Sequence, residues 1–300
     1  MNWSSAAILS AGILGIVNVI DSHLLSRRMP SLGSFLLPAG IFHLIYGTTL
    51  FIISPFPEGV GVYPLGVAIA SGIVRAIAIT IMLYTMTSEE ISRVIPVVYT
   101  SPIFVAIMAV MQLDESLVYQ QWLAIVIVVA GAALVSLNRG PSGAKARLIG
   151  SFGLLLLSSL LLAVADVTTK YALDYFSSWN MYSLSVLCMS ALFFLVSIRG
   201  NVFRELRSMP RLGSAVAIIA FNETLTPAGI VLSFWAIEQG QVSLVSTILS
   251  SRPIFVFLYA LILSRVYPAF LNWQPTRRAL LLRLTATAMI VGGVAAIYLV

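Results

Sequence analysis

The sequence predicts an all-α, polytopic membrane protein of about ten transmembrane helices, arranged as two inverted five-helix repeats. Three observations carry that fold class. Apolar residue types make up 59% of the 300 residues and charged types only 9%, whereas a surface facing water everywhere needs about 25% charged residues. The chain divides into apolar runs of roughly 20 residues, the length that crosses the hydrocarbon. Its two halves also repeat each other around a proline, with opposite charge bias in equivalent loops.

The runs place spans near 4–25, 32–54, 64–86, 91–112, 118–137, 149–171, 179–198, 212–236, 242–264 and 281–299. The opening Met1-Asn2-Trp3-Ser4-Ser5 has no basic stretch and no cleavage pattern after it, so the first run reads as a retained span. The connections are short. The most polar are 138–147, which holds Gly140-Pro141-Ser142-Gly143, and 199–211. The former reads as a linker. The expected organisation is therefore a first repeat at 1–138, a linker at 139–148 and a second repeat at 149–300. Residues 265–283 carry Trp273 and four arginines, which suits an interfacial segment.

Ser101-Pro102-Ile103-Phe104-Val105 matches Arg252-Pro253-Ile254-Phe255-Val256, with Ala109 and Ala260 in step. Gly131-Ala132-Ala133 sits in its span much as Gly293-Val294-Ala295 does. Both Pro-Ile-Phe segments fall in the fourth helix of a five-helix half. An odd number of helices per repeat inverts the second copy, a common plan in secondary transporters. The second and fourth loops of the first half carry Glu58, Asp114 and Glu115 without Lys or Arg. Their counterparts carry Arg199, Arg204, Arg207 and Arg211, then Arg265, Arg277, Arg278 and Arg283. With Arg27 and Arg28 in the first loop and Arg139, Lys145 and Arg147 mid-chain, every basic residue except Arg75, Arg93, Lys170 and Arg252 lies in an odd-numbered loop. The positive-inside rule then puts the odd loops in the cytoplasm and both termini outside.

Several classes are disfavoured. The net charge of +6 sits in short loops, and no stretch interleaves basic and aromatic residues on a polar face, so nucleic acid is not an expected partner. The one cysteine, Cys188, lies in an apolar run and reads as a small hydrophobe. No Walker-type phosphate loop and no metal-ligand spacing is present, so neither cofactor nor metal is expected, and ATP-driven pumping is disfavoured. No Ser-His-Asp arrangement is evident.

The residues Arg93-Val94-Ile95-Pro96, Tyr99-Thr100-Ser101-Pro102, Asp114-Glu115-Ser116-Leu117, Gln121 and the region of Gly131 resemble the EamA-type transporters of the drug/metabolite transporter superfamily. That family typically has a proline in the fourth helix, then a Gly-Glu-x-Leu-type turn, then Gln and Gly. The second half keeps Pro253 and Gly293 but has Ser264-Arg265-Val266 where the acidic turn falls. The resemblance implies ten helices in two inverted repeats, a place in the plasma (inner) membrane, and export of metabolites or amino acids. Some eukaryotic relatives in the superfamily are thought to keep both termini in the cytosol, opposite to the charge count.

Ionisable side chains in a bilayer are costly and mark function or packing. Arg75, Glu223 and Arg252 fall near mid-span, and the proline match makes Arg75 equivalent to Thr226. Glu223 and Arg252 are expected to form an ion pair, or to bind a substrate's ammonium and carboxylate together; a structural pair fixing helix packing is the alternative. Two arginines against one glutamate leave a positive surplus, favouring an anionic or zwitterionic substrate. Asn222-Glu223-Thr224 followed by Thr226-Pro227 makes a polar, kinked segment. Ser250-Ser251-Arg252-Pro253 and Tyr99-Thr100-Ser101-Pro102 occupy matched positions, and interrupted helices at such places point to a binding site. The substrate-binding candidates are thus Glu223, Arg252, Arg75, Asn222, Tyr99, Ser101, Ser251 and Thr226. Glu223 and Asp166 are candidates for proton coupling. Asp166 and Lys170 share a helix face at i,i+4, with Lys170 free to snorkel. Asp21, like Asp166, could titrate in proton coupling, and His23 near neutral pH, but the favoured reading is that Asp21 and His23 are wet; His43 is read as hydrogen-bonded packing. Tyr46, Tyr84, Tyr99, Trp179, Tyr182 and Trp235 are aromatics near polar positions, Trp179 being the expected interfacial anchor. Gly12 and Gly15 allow close helix contact without implying a dimer.

The leading expectation is a non-enzymatic secondary transporter of small polar metabolites such as amino acids, rocking its two repeats around a midplane site. An integral membrane enzyme or lipid-handling protein, and a non-transporting scaffold, are the alternatives from other classes. Coupling, direction and oligomeric state stay open at this level.

Overall fold

The computed structural model describes residues 2–89, 91–136, 145–198, 201–266 and 277–298, which are helical with short connections and contain no strand. In chain order the helices are α1 (Trp3–His23), α2 (Leu32–Ile53), α3 (Val62–Met86), α4 (Ile91–Val98), α5 (Pro102–Gln112), α6 (Tyr119–Ser136), α7 (Lys145–Leu173), α8 (Ser178–Ser197), α9 (Val202–Ser208), α10 (Leu212–Gln239), α11 (Val242–Leu249), α12 (Arg252–Val266) and α13 (Arg277–Tyr298). A π-helical turn at Leu24–Arg28 continues α1. Trp273, Arg199 and residues 139–144 of the expected linker lie outside the described residues, and α7 begins at Lys145, inside that linker.

Eight helical stretches among the described residues are long and apolar enough to cross a membrane: 3–28, 32–53, 62–86, 94–112, 150–173, 178–197, 212–239 and 242–266. The two other expected spans coincide with α6 and α13, whose apolar stretches, Tyr119–Gly131 and Leu284–Ala296, are shorter. Gln120 and Gln121 occupy the start of α6, and Arg277, Arg278 and Arg283 occupy the start of α13.

Two spans are broken. Between α4 and α5, Tyr99, Thr100 and Ser101 form a turn; between α11 and α12, Ser250 and Ser251 do. Proline explains both: it has no amide to give the preceding turn, but it fits the first turn of a new helix. Pro102 opens α5 and Pro253 is the second residue of α12.

Four helix seams dominate the packing: α2 with α8, α3 with α7, α1 with α10, and α6 with α13. Apolar side chains gain little by leaving lipid for protein, so seams in a bilayer rely on close approach and hydrogen bonds. The α2–α8 seam shows both. Ser183, Ser190 and Ser197 donate to the carbonyls of Gly47, Gly40 and Gly33 at 2.8, 2.8 and 3.2 Å. A Cβ on Gly47 would stand 2.8 Å from Leu187, which would have to shift, and one on Gly40 3.1 Å from the Phe194 ring, so glycine permits this close approach. Elsewhere, Ser71 donates to the Ala165 carbonyl at 2.9 Å, Ser158 to that of Ala78 at 2.8 Å, and Ser10 to that of Gly229 at 2.7 Å. Each seam joins one helix from before the mid-chain connection to one from after it. The halves therefore interlock through all four seams.

Two buried apolar clusters flank a polar middle layer. One includes Leu24, Phe35, Leu36, Met86 and Ile95. The other includes Phe176, Tyr182, Phe234, Ile237, Val245 and Ile248.

Candidate functional site

A cavity of about 120 Å³ lies in that middle layer. Its polar wall comes from Asn18 and Asp21 on α1, His43 on α2, Arg75 on α3, Asp166 on α7, Glu223, Thr226 and Ser233 on α10, and Ser246 on α11, with Tyr99, Ser101 and Arg252 from the two breaks. Leu14, Phe35, Met82, Phe193 and Leu249 are among its apolar lining. Both broken spans therefore reach one cavity, as their matched positions suggested.

The charged groups fall into three sets. Arg75 Nη2 donates to Asp166 Oδ1 at 2.9 Å and to Thr169 Oγ1 at 3.0 Å, and Thr169 meets Ser71 Oγ at 2.8 Å. The guanidinium also lies 4.9 Å from the Phe234 ring centroid. This ion pair is compensated and hydrogen-bonded, with both side chains 12% exposed.

Arg252 stands differently. Its Nη1 donates to the Tyr99 hydroxyl, and its guanidinium lies 4.6 Å from the Tyr99 ring centroid. Among the described residues no carboxylate lies within ion-pair distance of it. Its Nε is buried without a hydrogen-bond partner, as are Arg75 Nε and Asn18 Nδ2 in the same wall.

The acidic set is Glu223 and Asp21. Glu223 Oε2 lies 3.5 Å from His43 Nδ1, which donates to the Ala39 carbonyl at 2.8 Å. Asp21 Oδ1 accepts from Asn222 Nδ2 at 2.7 Å. Neither carboxylate is paired with a lysine or arginine among the described residues. A buried charge without a counter-ion is costly, so these groups call for a proton, an ion or a charged ligand.

Several expectations are corrected. Glu223 and Arg252 line one cavity but form no ion pair, because His43 and Tyr99 take those places. The positive surplus does not hold: Asp21 and Asp166 face the same cavity, setting three carboxylates against two arginines. Asp21 and His23 are not wet; they are 8% and 6% exposed. The π-helical turn carries the first span on to Arg28, so neither residue stands at its end. Lys170 does not pair with Asp166, which meets Arg75. Its ammonium donates to the carbonyls of Ile237, Glu238 and Gly240 at 2.8, 3.0 and 3.0 Å.

Of the eight substrate-binding candidates, Asn222 and Ser251 lie behind the lining; Asn222 orients Asp21, and Ser251 Oγ is buried without a partner. Thr224 turns away and meets the Tyr46 hydroxyl at 2.8 Å. Of the six aromatics singled out from the sequence, Tyr99 alone lines the cavity, while Trp179 and Tyr84 are 49% and 56% exposed. Gly12 and Gly15 pack against Phe255 and Tyr259 of α12. Sequence reasoning missed Asp21, Asn18, His43, Ser233 and Ser246 as lining. A signal existed for the first two: both are polar within an apolar run, and i,i+3 spacing puts them on one helix face.

Residues 1–137 match the model of the EamA-like transporter family. No curated protein matches the chain in sequence. Solved structures match it in fold. One, titled only as the crystal structure of a protein, aligns with a TM-score of 0.64 at 18% identity, over 99% of this chain and 95% of its own. At that identity the likeness speaks for the fold alone, and it extends along nearly the whole chain. The sequence likeness to that family is thus confined to residues 1–137, in a chain whose described residues hold eight helical stretches long and apolar enough to cross a membrane.

Proposed function

We propose that the chain is a secondary transporter, an exporter of small polar metabolites with amino acids foremost, whose substrate occupies the middle-layer cavity. The observation that carries this is that one cavity is lined by charges of both signs that are not paired with each other: Arg252, and Glu223 with Asp21. A substrate carboxylate answers Arg252, Ser101 and Tyr99; a substrate ammonium answers Glu223 and Asp21. Arg75 and Asp166 form part of the wall as a pair, and the coupling proton is assigned to Glu223, which faces His43.

Ten spans in two inverted repeats are the architecture this reading uses. It is supported by the matched breaks at Pro102 and Pro253, the opposite loop charges, and seams that map onto one another when the halves are exchanged. Under that exchange α1 with α10 becomes α7 with α3. Alternating access around the cavity then moves helices within the interlock rather than separating the repeats. The odd, basic loops are placed in the cytoplasm and the protein in the plasma membrane; a cytoplasm-specific reporter active at the C-terminus would reverse that orientation.

The test is counterflow in proteoliposomes loaded with pooled amino acids. Labelled members should accumulate, and Arg252→Ala should abolish accumulation while the protein stays folded. Folded, inserted protein that accumulates nothing from amino-acid or other metabolite pools would overturn the reading.

A further inference from the structure

Glu115 lies outside the cavity and joins the two halves at one end of the molecule. This is the end where Trp3 packs on Gly240, opposite the end of α1 that carries Arg27 and Arg28. The local chain explains how Glu115 is aimed. After α5 ends, Asp114 takes a left-handed φ of 53°. The reversal returns the Glu115 amide to the Ala109 carbonyl at 3.3 Å, and the Leu113 amide bonds the same carbonyl at 2.9 Å. A left-handed residue followed by such a back-bond is a helix stop.

The side chain then crosses to the second half of the chain. Glu115 Oε1 accepts from the Val242 amide at 2.6 Å, and Oε2 from the Ser243 amide at 3.3 Å and the Ser243 hydroxyl at 2.5 Å. Val242 and Ser243 open α11, whose free amides carry partial positive charge that a carboxylate neutralises. On the other side of the same turn, the Lys170 ammonium holds carbonyls at the end of α10. The short α10–α11 turn is thus gripped by an anion at one helix start and a cation at one helix end. Only the anion comes from the other half of the chain.

The element so held carries Ser246 and Leu249 of the cavity wall and leads directly to Arg252. Counting from the matched prolines, the place of Glu115 in the second half falls to Val266, which has no carboxylate to offer.

We propose that Glu115 is a one-sided latch: its carboxylate on the first amides of α11 holds the cavity shut towards the Trp3–Gly240 end, and its release frees α11 to open that end. The proposal rests on the transporter reading, but its test needs no substrate. Cys188→Ser removes the one native cysteine, and Ser246→Cys places a thiol in the cavity wall. A charged maleimide is applied to each face of sealed membrane vesicles of both orientations.

Adding Glu115→Gln should speed labelling of the new thiol about tenfold from one face and leave the other face unchanged. Ser243→Ala, which removes one of the three bonds, should act on the same face to a smaller extent. Unchanged labelling in both variants, or equal acceleration from both faces, would overturn the latch. Faster one-sided labelling without flux of any metabolite would leave the latch standing and remove the transporter reading; flux with unchanged labelling would do the reverse.

Discussion

The α3–α7 and α1–α10 seams, counterparts under the proposed repeat, treat charge in opposite ways. The first closes on itself: Arg75 meets Asp166, Thr169 backs the arginine, and Ser71 backs the threonine. Among the described residues, the second leaves Asp21 with Asn222 and Glu223 with His43 as side-chain partners. Two acidic seams at similar depth therefore differ in what they demand. The compensated one stabilises packing, and the uncompensated one is open to a proton or a charged ligand. An intramembrane charge is thus not a functional residue merely by its position; its partners decide.

The sharpest way to break this contrast is Asp166→Ala. It strands the Arg75 guanidinium and should cost about 3–5 kcal/mol, read as a large fall in thermal midpoint in detergent. Arg75→Met with Asp166→Leu should recover most of the loss, since no charge is then left unpaired. An unchanged midpoint in the single variant would remove the structural role assigned to the pair. Glu223→Gln strands no arginine or lysine, so its midpoint should move by no more than about 1 kcal/mol. Its signature should be kinetic: flux that varies with pH in the unmodified protein should become flat. A preserved pH profile would take the coupling role from Glu223. The smallest effect is expected from Ser190→Ala, which deletes one rung of the α2–α8 seam and should cost about 1 kcal/mol with transport intact. A loss of transport without loss of stability would show that this seam moves during the cycle.

The breaks were legible through the matched positions of Pro102 and Pro253, each lacking the amide that would continue a helix; proline alone was not enough, since Pro38 and Pro227 sit inside unbroken helices. The Asp114-Glu115 turn was legible as a motif, but its φ and its reach to α11 were not. Lys170 shows the limit most clearly. Its i,i+4 spacing from Asp166 was real, but both side chains found better partners on other helices, Asp166 on α3 and Lys170 at the end of α10.

The sequence by itself determined the solvent, the helical class, the places where two spans break and part of the charge at mid-depth, Arg75, Glu223 and Arg252. Each follows from local chemistry: apolar run length, missing amides, and the cost of charge in hydrocarbon. Only the tertiary structure decided which charges meet, which remain open to a ligand, and that the two halves interlock. The physical reason is that a helix in lipid is apolar on its lipid-facing and protein-facing sides alike, so the pattern along it barely reveals which side turns inward. Partners 91 residues apart, such as Arg75 and Asp166, are chosen by that turning.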